Sequence, residues 1–276
     1  MPTLLAPLLQ VWLVAALVMA AVWWIQKRTR NAGFVDVAWA ALLGTAALYY
    51  GLIADGALLS RVIVAVLAAA WGFRLALHLL HRVLNEREDG RYAHLREHWG
   101  GHQGKFFAFF QAQALAVALF SLPFLVAAGN PTESVTLWTV LGVLIWIFSL
   151  SGESIADLQL AQFRADPRNR GKTCRAGLWR YSRHPNYFFE WLHWFAYLLL
   201  AIGAPHAWLA LIGPALMLVS LCWVSGIPFV EAQSLRSRGD DYREYQRTTS
   251  VLVPWPPRSG EKEKGKRKKG EPQAPP

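Results

Sequence analysis

Acidic and amide side chains stand inside segments that are otherwise apolar enough to lie in hydrocarbon. A charged group there costs on the order of 2.5–3.5 kcal/mol, so each one calls for a partner or a task. In SRHPNYFFEWLHW, the residues Arg183, Asn186, Glu190 and Trp194 recur at three- and four-residue spacing and share one helical face. Glu153 and Asp157 are four apart, with Arg164 seven residues further on, and Arg74 and His78 are four apart in an earlier segment. Asp36 lies near the start of NAGFVDVAW. A carboxylate so placed, Glu190 above all, must shift its pKa or meet a cation or a hydrogen-bonded ligand. Each group also has a plainer reading. Arg74 and His78 can snorkel to the interface, Asp157 can be a last-turn residue, and Gln111 and Gln113 can bridge helices. All lie toward the same ends of their segments, which predicts one polar cavity open to the cytosol.

The elements that would position these groups are membrane spans. The chain has 276 residues, 54% hydrophobic, 17% charged, with 14 Trp. Its apolar residues come in blocks of about 20, the length that crosses roughly 30 Å of hydrocarbon. The fold class expected is all-α, a seven-transmembrane bundle with spans near 4–25, 34–54, 58–80, 106–128, 136–156, 185–203 and 207–227. The first is not read as a cleaved signal, because Lys27, Arg28 and Arg30 follow its apolar stretch. Threaded alternately, seven spans collect nearly every Lys and Arg into 26–33, 81–105, 157–184 and 228–276. The positive-inside rule then puts the N-terminus outside and the C-terminus in the cytoplasm. That arrangement describes a multi-pass integral membrane protein, of the plasma membrane if bacterial.

Residues 1–255 read as one membrane domain and 256–276 as a disordered basic tail. The net charge of +10 is concentrated in the basic loops and tail, which fits anionic lipid better than nucleic acid. Cys174 and Cys222 have no metal or disulfide spacing and read as free thiols, so no metal site is expected. The loop DPRNRGKTCRAGLWRYSRHP brings several Arg to a helix start, with Ser182 a plausible cap and Pro185 in the first turn. Such a start is suited to phosphates and other anions.

The stretches GLWRYSRHPNYFFEWLHW and DYREYQRTTSVLVPW, with NAGFVDVAW and EDGRY, resemble the steroid 5-alpha-reductase-like membrane family, and more narrowly its bacterial DUF1295 branch. The resemblance covers roughly residues 30–256. The RHPxY element is also shared with isoprenylcysteine and phospholipid methyltransferases, which bind S-adenosylmethionine. In the reductases the C-terminal helices and the preceding loop hold NADPH. By that resemblance Asn186 and Glu190 form the Asn-x-x-x-Glu pair, Asp157 and Arg164 the upstream pair, and Glu153 stands one turn earlier. Arg175, Tyr181, Arg183, His184 and Trp194 flank them, with Arg91 from DGRY and with Tyr242 and Tyr245 from the DYxxY element. The Gln-Glu pair by which the animal enzymes polarise the substrate carbonyl is absent, and Asp36 is the nearest acid at that depth. Trp71 stands where those enzymes have a Tyr.

The resemblance implies an NADPH-dependent oxidoreductase that reduces a C=C bond conjugated to a carbonyl in a lipophilic steroid-like, fatty-acyl or isoprenoid substrate. Asp36 is the catalytic acid expected, with His78 and Tyr92 as alternatives. The rival enzyme is an S-adenosylmethionine-dependent methyltransferase in which Glu190 and Glu231 serve a sulfonium and an amine. The non-enzymatic rival is a lipid-binding or transport protein. The partners expected are the lipophilic substrate and the bilayer. Nothing in the sequence fixes an oligomeric state.

Overall fold

The computed structural model describes residues 2–224 and 226–258. Among them there is no β-strand, and ten α-helices succeed one another. These are α1 Pro2–Thr29, α2 Phe34–Ile53, α3 Leu58–Asn85, α4 Gly90–His98, α5 Gln103–Ala128, α6 Leu137–Ala165, α7 Pro185–Leu200, α8 Ile212–Val219, α9 Ile227–Arg238 and α10 Asp240–Thr248. Most of the expected tail, residues 259–276, lies outside the described residues.

Six helical stretches are long and apolar enough to cross a membrane: Leu4–Thr29, Phe34–Ile53, Leu58–Asn85, Gln103–Ala128, Leu137–Ala165 and Ala207–Arg238. The chain is a multi-pass integral membrane protein. The segment expected as the sixth span is α7, whose 16 residues reach only about 24 Å. It stops at Leu200 because the chain turns at Gly203, whose φ is +100°. There Asn130 Nδ2 donates to the Leu200 and Ile202 carbonyls at 3.0 and 2.9 Å, satisfying the exposed helix end. The next segment is broken rather than uniform: a 3-10 turn at Ala207–Leu211, then α8, then a π turn at Ser220–Val224. In α6 the helix continues two turns past the expected end at 156, so Asp157 lies within it and Arg164 falls in its last turn. Polar side chains there have partners, Asp157 with Asn186 and Gln159 with the Leu178 N–H, so the turns remain helical outside the apolar stretch.

The bundle is built from close pairs: α2 along α3, α6 along α7, and α1 along α5. Gly72 lets α3 approach α2. A Cβ at this position would stand 2.8 Å from both the Ala40 carbonyl oxygen and the Gly44 nitrogen, and neither can move without moving the helix. Gly72→Val is therefore expected to destabilise the protein by about 2–3 kcal/mol. A thermal unfolding midpoint in detergent equal to that of the wild type would contradict this packing.

On the loop side a polar network holds α1, α4 and α5 together. Glu88 accepts from the Ala32 N–H and from Arg96, both at 2.7 Å. Arg96 also reaches Gln26, whose side chain donates to Gln103 at 2.9 Å. This network fixes the short helix α4 against the membrane helices.

Candidate functional site

Three polar groups lie where the sequence predicts one cavity. The first is built on α2 and α4. Asp89 caps α4 through the Arg91 N–H at 2.9 Å, which turns the Arg91 and Tyr92 side chains toward α2. Arg91 Nη2 then donates to Asp36 at 3.1 Å and the Tyr92 hydroxyl donates to the other Asp36 oxygen at 2.6 Å. Arg91 also bonds Asp89 at 3.1 Å. Burial works to raise the Asp89 carboxyl, but the charge and hydrogen bonds of Arg91 together hold it below its ordinary value. Burial, reinforced by the Asp36 carboxylate, keeps the Tyr92 phenol well above its ordinary value, so Tyr92 retains its proton at neutral pH. Tyr92 is buried, whereas Asp36 keeps about a quarter of its side chain exposed (28%).

The second group lies between α3, α6 and α7. Arg74 pairs with Glu153 at 2.5 Å, and the Arg74 Nε is buried without a partner. Asn186, in the first turn of α7, donates to Asp157 at 3.1 Å. His78, though exposed, lies within electrostatic reach of Asp157, as do Arg74 and Arg82. Glu190 accepts from the Trp71 indole of α3 at 3.2 Å and from Trp194 of its own helix at 3.3 Å. Part of its polarity is thus met inside the chain. Both indoles are fully buried and pack edge to face, centroids 5.5 Å apart. His193 stacks on Trp71 at 4.7 Å. Tyr187 joins the two groups, being within electrostatic reach of Arg91 and Asp89 on one side and Asp157 on the other.

The third group is a clamp. Arg183 donates to Glu231 at 2.7 Å and to the Gln246 and Thr249 carbonyls, and His184 meets the same Glu231 at 3.2 Å. Ser182 Oγ donates to the Leu252 carbonyl at 2.7 Å. Arg175 binds Asp241 and Glu244 of α10. The Tyr245 hydroxyl donates to the Trp179 and Ser182 carbonyls, and Tyr242 packs edge to face on it. These contacts fasten the loop before α7 to the C-terminal helices, and so set where Asn186 begins.

The residues expected to hold cofactor therefore divide. Glu153, Asp157, Asn186, Glu190 and Trp194 come together, with Arg91, Tyr92 and Asp36 nearby across Tyr187. Arg175, Arg183, His184 and Tyr245 lie in the clamp, their polar atoms bonded to acids or carbonyls of the chain, and Tyr242 packs beside Tyr245. Arg164 is exposed, and the charges it influences are those of Cys174 and Arg238 rather than Asp157. Tyr181 is also exposed and faces a groove outside the α6–α7 pair. Sequence reasoning missed Asp89, Tyr187 and His193. Asp89 was legible as an acid two residues before Arg91, and His193 as the residue three after Glu190 on the same face.

The family described as "Protein of unknown function (DUF1295)" matches residues 22–249. A relative from Schizosaccharomyces pombe, "Uncharacterized protein C594.04c", is 28% identical over 228 residues. That match covers 69% of this chain and 66% of the relative, just under two thirds of its length. No solved structure matches.

Proposed function

From the premise that this chain belongs to the DUF1295 family, we propose that it is an NADPH-dependent reductase of a C=C bond conjugated to a carbonyl in a lipophilic substrate. Family membership is consistent with the steroid 5-alpha-reductase-like resemblance. The observation that carries the reading is the Tyr92–Asp36–Arg91 arrangement, a proton-bearing phenol hydrogen-bonded at 2.6 Å to a carboxylate that an arginine holds in place. We take α7 as a seventh crossing, which puts the N-terminus outside and every polar group above near the cytoplasmic face.

The residues present fit a nicotinamide nucleotide. Arg74 offers a buried Nε–H with no partner, beside Glu153. Asp157 and Asn186 supply an acceptor and a donor suited to ribose hydroxyls or a carboxamide. Arg82, which pairs with Glu86 and Asp89, and the exposed Arg87 line one cleft with Asp36 and Arg91 and would meet phosphates there. When bound, NADPH supplies the hydride that becomes attached to the β-carbon of the substrate.

The chain's own residues handle the other half of the reaction. As the C=C electron pair moves toward the carbonyl, an oxygen beside Tyr92 becomes an enolate and takes over from Asp36 the single hydrogen bond that the phenol donates. Asp36 orients that phenol, and Arg91 limits the charge that builds up across the pair. The α-carbon then takes one proton from the Tyr92–Asp36 pair, which solvent on the loop side replaces. The aromatic walls of Trp71 and Trp194 keep water away from the reacting carbons.

The test is NADPH consumption by purified protein in detergent, offered a 4-en-3-one steroid, a 2-enoyl fatty-acyl ester and an unsaturated isoprenoid aldehyde in turn. Saturated product from at least one class, formed one for one with NADPH oxidised, is expected. Methyl transfer from S-adenosylmethionine with no NADPH oxidation would replace this reading with the methyltransferase one.

A further inference from the structure

On the membrane face of the α6–α7 pair lies a groove of about 530 Å³, within the range of small-molecule sites and enough for one acyl chain. Its walls are Phe148, Ile155 and Phe189, and it follows α6 from residue 148 to 159, roughly 16 Å. Phe148 and Ile155 are exposed there, 60% and 49%, so the groove opens to acyl chains and not to the polar groups inside the bundle. Its floor is Gly152, where a Cβ would stand 2.4 Å from the Phe189 ring, so a residue without a side chain is what lets the ring lie flat.

The end near the loops differs in character. There Arg180 and Tyr181 border the groove. The 3-10 turn Gly177–Arg180 that carries Arg180 is anchored, not loose. Gln159 accepts from the Leu178 N–H at 2.9 Å, and the Trp179 indole donates to the Ala156 carbonyl at 2.9 Å. Arg180 is exposed and outside every ion pair found among the described residues. An unpaired guanidinium on an anchored turn at the interfacial end of an apolar trough matches an amphiphile whose head is an anionic phosphate.

We propose that this groove binds one anionic phospholipid, an acyl chain along Phe148, Ile155 and Phe189 and its phosphate on Arg180. The bilayer supplies the occupant, and a leaflet with anionic heads brings negative charge to Arg180. The site stands on the outer side of α6 and α7, and it holds whether or not the polar groups inside the bundle reduce an enone.

Native mass spectrometry of the full chain, delipidated and returned to mixed micelles of phosphatidylglycerol and phosphatidylcholine, tests this. One phosphatidylglycerol per chain is expected to be retained, about tenfold over phosphatidylcholine, whose choline cation offsets the phosphate charge that Arg180 meets. Arg180→Gln should erase that preference. Ile155→Trp and, independently, Ser151→Phe should fill the trough and abolish retention, each with wild-type helix content by circular dichroism. Equal retention of the two lipids, or retention unchanged in Arg180→Gln, would mean ordinary boundary lipid and overturn the proposal. Displacement by an equimolar amount of oleate would make the occupant a free fatty acid and overturn it as well.

Discussion

Asp36→Asn is expected to lower kcat by about 10²–10⁴, the contribution of a positioned acid–base group, while NADPH affinity changes by less than about threefold. The amide is the same size and its oxygen can still accept from Tyr92, so the local geometry survives. What disappears is the charge that orients the phenol and takes part in replacing its proton. Tyr92→Phe should give a loss of similar size for the complementary reason, since the group that donates to Asp36 is removed. Because the two residues act through one hydrogen bond, the double variant should be little worse than either single one. Stopped-flow reduction and equilibrium NADPH binding on the same preparations separate the two quantities. A parallel loss of turnover and nucleotide affinity would assign Asp36 to binding and remove it from the proton pathway.

Arg74→Met is expected to lower stability by roughly 2–3 kcal/mol. Removing one partner of a buried pair typically costs 3–5 kcal/mol, and about a third of the Arg74 side chain is exposed, which reduces the effect. The Glu153 carboxylate left behind has little solvent, with only 12% of its side chain exposed. Glu153→Gln in the same chain removes the stranded charge and should restore most of the loss. A double-mutant cycle by thermal unfolding in detergent therefore measures the pair directly. Additive effects would mean that Arg74 and Glu153 do not interact in the membrane-embedded protein.

The membrane helices were legible in the sequence because the hydrocarbon thickness imposes a length, and apolar blocks of that length are distinctive. Helices α2, α3 and α5 begin and end within a few residues of the expected spans. The short α7 was less legible. Its end depends on Asn130 reaching across from the chain after α5, a contact between residues 70 apart. The face shared by Asn186, Glu190 and Trp194 followed from helical spacing alone. The fate of the arginines did not. Spacing puts Arg183, and the resemblance puts Arg175, beside the same expected cavity, but the acids that take them, Glu231, Asp241 and Glu244, come from α9 and α10, more than 45 residues away. Local pattern contains no information about such long-range pairing. The same holds for Glu190, whose partner Trp71 lies 119 residues away and could be read from sequence only as a bulky residue in place of a Tyr.

The most direct measurement titrates the purified protein with NADPH while exciting tryptophan, since Trp71 and Trp194 lie against Glu190 in the proposed nucleotide chamber. Saturable, indole-sensitised nicotinamide emission is expected at micromolar to submillimolar nucleotide, and Asn186→Ala or Asp157→Ala should abolish it while leaving the protein folded. Emission that never saturates up to millimolar NADPH, or that persists unchanged in both variants, would contradict a nucleotide site between α3, α6 and α7.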